Sequence, residues 1–281
     1  MRKTLLALSL VAAAAPALAA DYSDNIHKND YKFLNFNLMY ALNEKPQPSD
    51  AGNTGHDYLE MEYGGRSGIF DLYGYVDVFN LASGHGSDND KDGQEKIFMK
   101  FAPRVSLDAL TGKDLSFGPV QELYFATLME WGGGGSTYTD SNGVDELGGK
   151  PGVNTQKVGL GSDVNVPWFG KMGLNLYATY DSNLKDWNGY QISTNWFKPF
   201  YTFSNDSFIS YQGYIDYQFG MKDEYATSSN GGAMFNGIYW HSQHYAIGYG
   251  LKLYHNIYGI KDTSSFESSG VAHYFDVTYK F

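Results

Sequence analysis

The residues of this chain with chemistry to offer are carboxylates and tyrosines spaced two apart. Glu60 and Glu62 stand in Asp57-Tyr-Leu-Glu-Met-Glu62, and Asp71, Tyr73, Tyr75 and Asp77 in Phe70-Asp-Leu-Tyr-Gly-Tyr-Val-Asp77. Lys100 and Arg104 follow on the same even spacing, then Glu122 and Tyr124, with Lys157 and Asp163 further on. An interval of two puts side chains on one face of a β-strand. Ionised carboxylates only accept hydrogen bonds, so such a face suits hydroxyl and amino donors. A tyrosine ring offers a flat surface on which a heterocycle stacks. Arg104 is expected to pair with one or more of these acids, because partly desolvated charge needs a partner. The plain reading of these charges is electrostatic stabilisation of a sheet. The functional reading is a line of charged and aromatic groups that a flat, polar ring compound follows.

The elements that would position this face are strands. Twelve candidates occur, at 31–42, 57–63, 69–79, 97–107, 120–131, 156–164, 171–180, 189–197, 207–218, 232–240, 244–254 and 271–281. In the last, Val271, Phe275, Val277, Tyr279 and Phe281 share one parity, and Ala272, Tyr274, Asp276, Thr278 and Lys280 the other. In 207–218, Ile209, Tyr211 and Ile215 oppose Gln212, Tyr214 and Asp216; in 244–254, Tyr245, Ile247 and Leu251 oppose Gly248, Gly250 and Lys252. Strand 232–240 has blurred faces, because Met234, Ile238 and Trp240 all share one parity with polar neighbours. Connections alternate between long, polar or Gly-rich segments and shorter turns. That is the pattern of an outer-membrane barrel with both termini on the periplasmic side and an even number of strands. A soluble β-sandwich would not alternate its loops in this way. The predicted fold class is all-β, a 12-stranded antiparallel transmembrane β-barrel. Eight strands close around side chains and 16–18 leave an open channel. Twelve give a lumen in which a small solute must touch the wall.

The ends and the composition agree. Met1-Arg-Lys-Thr, an apolar stretch over 5–15 and Ala17-Leu18-Ala19 read as a secretory signal peptide over 1–19, with a barrel domain over 20–281. No other stretch approaches the ~18 apolar residues of a membrane helix. The formal net charge is −11, and losing the leader removes Arg2 and Lys3, so nucleic acid is excluded as an electrostatic partner. There is no cysteine, so a secreted chain of this length must be held by something other than disulfides. Mean hydropathy is −0.40 despite 24 Tyr, 18 Phe and 33 Gly. A lipid-facing band, a wet lumen and aromatic girdles give that mixture.

Other constellations carry less. Asp88-Asn-Asp-Lys-Asp92-Gly93 opens like a Ca²⁺ loop, but Met99 stands where the closing Glu belongs; it reads as a solvated acidic loop, with divalent binding left open. Gly132-Gly-Gly-Gly135 precedes no helix and is not a phosphate cradle. His241 and His244 are taken as turn residues, and no metal or cofactor is expected. His273 shares the lipid-facing parity. Outer-membrane phospholipases also use twelve strands, but here no Ser and His share an outward face, and an enzyme is not expected. A structural or adhesive barrel with an occluded lumen stays open, because parity cannot show whether loops fold inward.

Several segments resemble the Tsx family of nucleoside-specific outer-membrane channels. They are the Asp57–Glu62 and Phe70–Asp77 runs above, Ile97-Phe-Met-Lys-Phe-Ala-Pro-Arg-Val-Ser106, Asp114-Leu-Ser-Phe-Gly-Pro119 and Trp187-Asn-Gly-Tyr190. The resemblance implies a twelve-stranded barrel in the outer membrane with a narrow pore for nucleosides and deoxynucleosides. It places Glu60, Glu62, Asp71, Tyr73, Tyr75, Asp77 and Arg104 on the pore wall. It also implies surface loops used as receptors by phages, contact with outer-membrane lipids and lipopolysaccharide, and a final strand ending in Phe281 that the barrel-assembly machinery reads. This chain departs from the family at Lys100 and Ala102, where more acid is expected, and in segments 80–96 and 132–155.

Overall fold

Alternating polar and apolar residues leave a strand one wet and one dry face, and a membrane leaves no backbone N–H unpaired, so strands of this type close on themselves. The computed structural model describes residues 22, 24–83, 86, 88, 89, 91, 96–133, 137–139, 145–147 and 152–281. The expected leader at 1–19 lies outside them, as do parts of the Asp88–Asp92 and Gly132–Gly135 loops.

The barrel strands are β1 (Tyr31–Leu42), β2 (Gly55–Ser67), β3 (Phe70–Phe79), β4 (Ile97–Phe101 continuing as Arg104–Ser106), β5 (Val120–Gly133) and β6 (Asn154–Val166). They are followed by β7 (Gly170–Asp181), β8 (Asp186–Thr202), β9 (Phe208–Phe219), β10 (Asn230–His241), β11 (Tyr245–His255) and β12 (Gly270–Lys280). Each pairs antiparallel with the next, and β12 pairs with β1 from Asn35↔Lys280 to Leu42↔His273, which closes the ring. All twelve expected strands are present, half of them longer than the periodicity suggested.

Two details differ from expectation. The predicted strand 97–107 is interrupted at Ala102-Pro103, where proline has no N–H to give the ladder. Pairing continues on either side, since the Ala102 N–H donates to the Tyr73 carbonyl at 2.8 Å and the Pro103 carbonyl accepts from Thr127 at 3.0 Å. The turn after β4 contains a one-turn helix, α1 (Leu107–Thr111), which carries too few residues to show a helical period. Ser106 caps it by accepting from the Ala109 N–H at 3.0 Å, and Gly112 ends it in the left-handed conformation.

The outside of the barrel is apolar. On β12, Val271, Phe275, Val277 and Tyr279 are exposed, while Ala272, Tyr274, Asp276, Thr278 and Lys280 are buried toward the inside. Structure also resolves the blurred strand: on β10, Ala233, Tyr239 and His241 are buried and Ile238 and Trp240 face out. The inward rings need room. A Cβ on Gly248 would come within 2.1 Å of the Tyr239 ring, and one on Gly250 within 2.2 Å of Phe235, so β11 carries glycine where β10 carries aromatics. The C-terminal Phe281 folds back on β1, donating its N–H to Leu34 and packing edge-on against Phe36 at 5.5 Å.

Placing a cation on the outer band tests its contact with lipid. Val277→Arg is expected to lower the unfolding free energy in lipid vesicles by about 2–4 kcal/mol, read from denaturant-unfolding midpoints.

Candidate functional site

Twelve inward faces enclose one continuous cavity of about 2470 Å³. Lys32, Gln243 and His244 line it at the short-turn end, and Pro46, Asn183 and Tyr225 at the long-loop end, so it runs the length of the barrel. Most of the residues singled out by spacing meet in it: Glu60, Glu62, Asp71, Tyr73, Tyr75, Asp77, Lys100 and Arg104 all line the cavity.

Strands β1, β2 and β3 form an acidic wall. Their register sets Asn37 opposite Glu60 and Glu60 opposite Asp77, with Asn35, Glu62 and Tyr75 in the neighbouring row. Asn37 donates to Glu60 at 2.6 Å and Asn35 to Glu62 at 3.1 Å. The Tyr73 hydroxyl donates to Glu62 at 3.0 Å. An aromatic run lies beside the acids, with Tyr73 edge-on to Tyr75 at 6.2 Å and Tyr75 tilted against Phe98 of β4 at 5.9 Å.

The cations of the wall are spoken for. Arg104 pairs with Asp71 at 3.2 Å, as expected, and also with Asp163 on β6 at 3.1 Å. Its guanidinium lies 3.9 Å from the centre of the Tyr124 ring. Lys100 reaches across the lumen from β4 to Asp216 on β9 at 2.7 Å, with Glu130 at 3.8 Å. Lys157 is buried against Glu130. Asp216 had the inward parity of its strand, but no periodicity within one strand reveals a partner five strands away.

Glu122 and Tyr124 point inward but do not line the cavity. They are sealed near the short-turn end, where Arg66 grips both Glu122 oxygens at 2.7 and 3.0 Å and bonds the Tyr124 hydroxyl at 3.2 Å. The Tyr22 hydroxyl also donates to Glu122, at 3.0 Å, and its ring lies 4.8 Å from the Arg66 guanidinium. Arg66 shares the even parity of Glu60 and Glu62, so its direction was readable, but its role in anchoring the N-terminal segment was not.

A through-going lumen with an acidic, aromatic wall in a lipid-faced barrel agrees with the sequence comparisons. The profile of the nucleoside-specific channel-forming protein Tsx matches residues 28–281. The chain belongs to the Tsx family. It is 71% identical to outer membrane protein OmpK of Vibrio parahaemolyticus and 68% identical to OmpK of V. parahaemolyticus serotype O3:K6, each over the full length of both chains. It is 28% identical to the nucleoside-specific channel-forming protein Tsx of Salmonella typhimurium, over 91% of this chain and 88% of that one. Like its relatives it is an outer-membrane barrel, and the Tsx family is one of channel-forming proteins.

This Tsx-family barrel has a guarded mouth that sequence reading did not anticipate. Glu44, on the connection between β1 and β2, turns into the lumen. It accepts from the Tyr274 hydroxyl at 2.6 Å and lies 3.0 Å from Lys91, 3.7 Å from Lys252 and 3.9 Å from His56. The neighbouring Lys45 pairs with Glu267, and Gln47-Pro48 pairs as a short ladder with Phe266-Glu267, so the first and last long loops are joined over the opening. Burial pushes the Glu44 carboxyl up, but the Lys91 and Lys252 ammonium groups outweigh it and hold the carboxyl well below the usual range. At the other end His241, expected in a turn, closes β10 instead. It is buried, bonded to Ser210 at 2.8 Å and stacked on Phe208.

Two outcomes follow. Arg104→Met leaves Asp71 without its cation and is expected to cost about 3 kcal/mol of unfolding free energy, measured in detergent by denaturant titration. A carboxylate with a depressed folded value stabilises above its unfolded value and loses that contribution only as pH falls through the folded one. The Glu44 tether therefore holds down to below about pH 4. Glu44→Gln removes it at neutral pH. Because the chain has no cysteine, a Gln47→Cys probe reports this directly, with faster labelling by a membrane-impermeant thiol reagent in the Glu44→Gln background.

Proposed function

We propose that the lumen passes nucleosides and related small polar solutes by passive diffusion along the wall of β2 and β3. One observation carries this reading: Glu60, Glu62 and Asp77 line the cavity beside Tyr73 and Tyr75, and among the described residues none of the three acids has a cationic partner. Unpaired carboxylates accept from ribose hydroxyls, and the tyrosines give a base something to stack on. The names of the Tsx relatives point to the same solute class. A channel site must release as readily as it captures, so contacts are few and shared with the moving solute. The long loops at the mouth are the surface that a bacteriophage receptor role would use.

Single-channel recording in a planar bilayer tests the reading. Adenosine or thymidine is expected to reduce conductance in a saturable way. Tyr73→Ala and Tyr75→Ala are expected to weaken that block by about tenfold each. Conductance indifferent to both nucleosides would overturn it.

A further inference from the structure

On the wall made by β12, β1, β2 and β3, acceptors outnumber donors: Asn37 donates to Glu60 at 2.6 Å and Thr278 to Asp276 at 3.0 Å, and other oxygens are left over. Glu60 sits between Asn37 on one side and Asp77 on the other, and Asp276 of β12 faces Met39, two residues along β1 from Asn37. Asn37 commits its amide N–H to Glu60, which fixes its own Oδ1 as an acceptor, and no protein donor reaches that oxygen. Asp77 Oδ1 and Asp276 Oδ1 have none either. The three side chains are 5%, 7% and 6% exposed, so water alone is a poor substitute. Glu60 and Asp77 lie within hydrogen-bond reach of each other, and Glu62 and Asp276 are near enough to add their charge.

The cations nearest this wall, Lys252 and Lys91, act on Asp77 only from a distance, because Glu44 holds them. Arg104 is held by Asp71 and Asp163, Lys100 by Asp216, Lys157 by Glu130, and Lys252 with Lys91 by Glu44. Lys280 donates to the Ser242 carbonyl at the rim. Buried carboxylates without a positive partner are costly, so the wall is complementary to a positive group that carries N–H donors.

The spacing says which kind. Among the described residues no three His, Cys, Asp or Glu side chains approach as metal ligands do. The orphan oxygens sit on three different strands, β1, β3 and β12, so a ligand that meets more than one of them must carry its donors at separate points. An ammonium group spreads three donors outward to oxygens about 2.8 Å away. Tyr58 and Tyr239, the buried neighbours of these acids, add aromatic surface of the sort that favours organic cations.

We propose that Asn37, Glu60, Asp77 and Asp276 form a station for small organic ammonium ions, making the channel selective for cations and a route for cationic solutes as well as neutral ones. The proposal reaches beyond the nucleoside reading, since a neutral nucleoside needs no net charge on the wall.

Two measurements on the full mature chain test it. In a planar bilayer under a KCl gradient, the wild-type reversal potential is expected on the cation side, moving toward zero in the Asp77→Asn, Asp276→Asn double variant. In detergent, calorimetric titration with putrescine is expected to show binding that the double variant weakens at least about tenfold. Asp276→Asn alone provides the milder variant, and the wild-type readings stand whether or not either variant folds. A wild-type reversal potential at zero or on the anion side, or putrescine binding that is absent or indifferent to both variants, overturns the proposal. If the bilayer stays silent, the titration alone decides. Adenosine block separates the two readings: its absence alongside cation selectivity removes the nucleoside and leaves the cation.

Discussion

Everything in this molecule depends on closing the backbone ladder. In hydrocarbon an unpaired N–H or C=O has no water to turn to, so β12 must find β1. Closure then dictates the rest. Side chains alternate, so each strand must send its charges inward and its Val, Ile, Leu and aromatic residues outward. Once inside, the charges are confined in a narrow space and must sort themselves into pairs. The two cationic clusters at Lys100 and Arg104, the buried Arg66–Glu122 pair and the Glu44 tether are solutions to that sorting. The acids left over on β12, β2 and β3 stay outside these pairs, on the wall proposed for solute contact.

How much of this could be read from the chain follows from the range of each interaction. Period-two alternation is local, so β1 matched its expected bounds and the inward direction of Glu60, Glu62, Asp71, Tyr73, Tyr75 and Asp77 was legible. Even the pairing of Arg104 with Asp71 was within reach, because adjacent strands bring them into register. Contacts across the lumen were not. Asp216 lies 116 residues from Lys100, and nothing in either strand announces the other. Depth was equally hidden: Glu122 and Tyr124 share the inward face with Glu130, yet Tyr22 and Arg66 cover them.

Loops follow a different logic. Glu44 sits in a long polar connection, and nothing in its local sequence shows that its carboxylate lies between Lys91, Lys252 and Tyr274. A polar loop residue goes outward only when the barrel has no unmatched charge at its rim. Lys252 was such a charge, visible by parity on β11, and its demand for a partner is what draws the loop in.

The bond from Lys100 to Asp216 has a mechanical meaning as well. A ring of strands resists stretching along its hydrogen bonds but yields easily to ovalisation, since each strand-to-strand joint bends. A tie between nearly opposite staves works like the cross-brace of a hoop. It resists widening of the cross-section along the line that joins the two strands. The bore is then set by the reach of one lysine side chain rather than by the surrounding membrane.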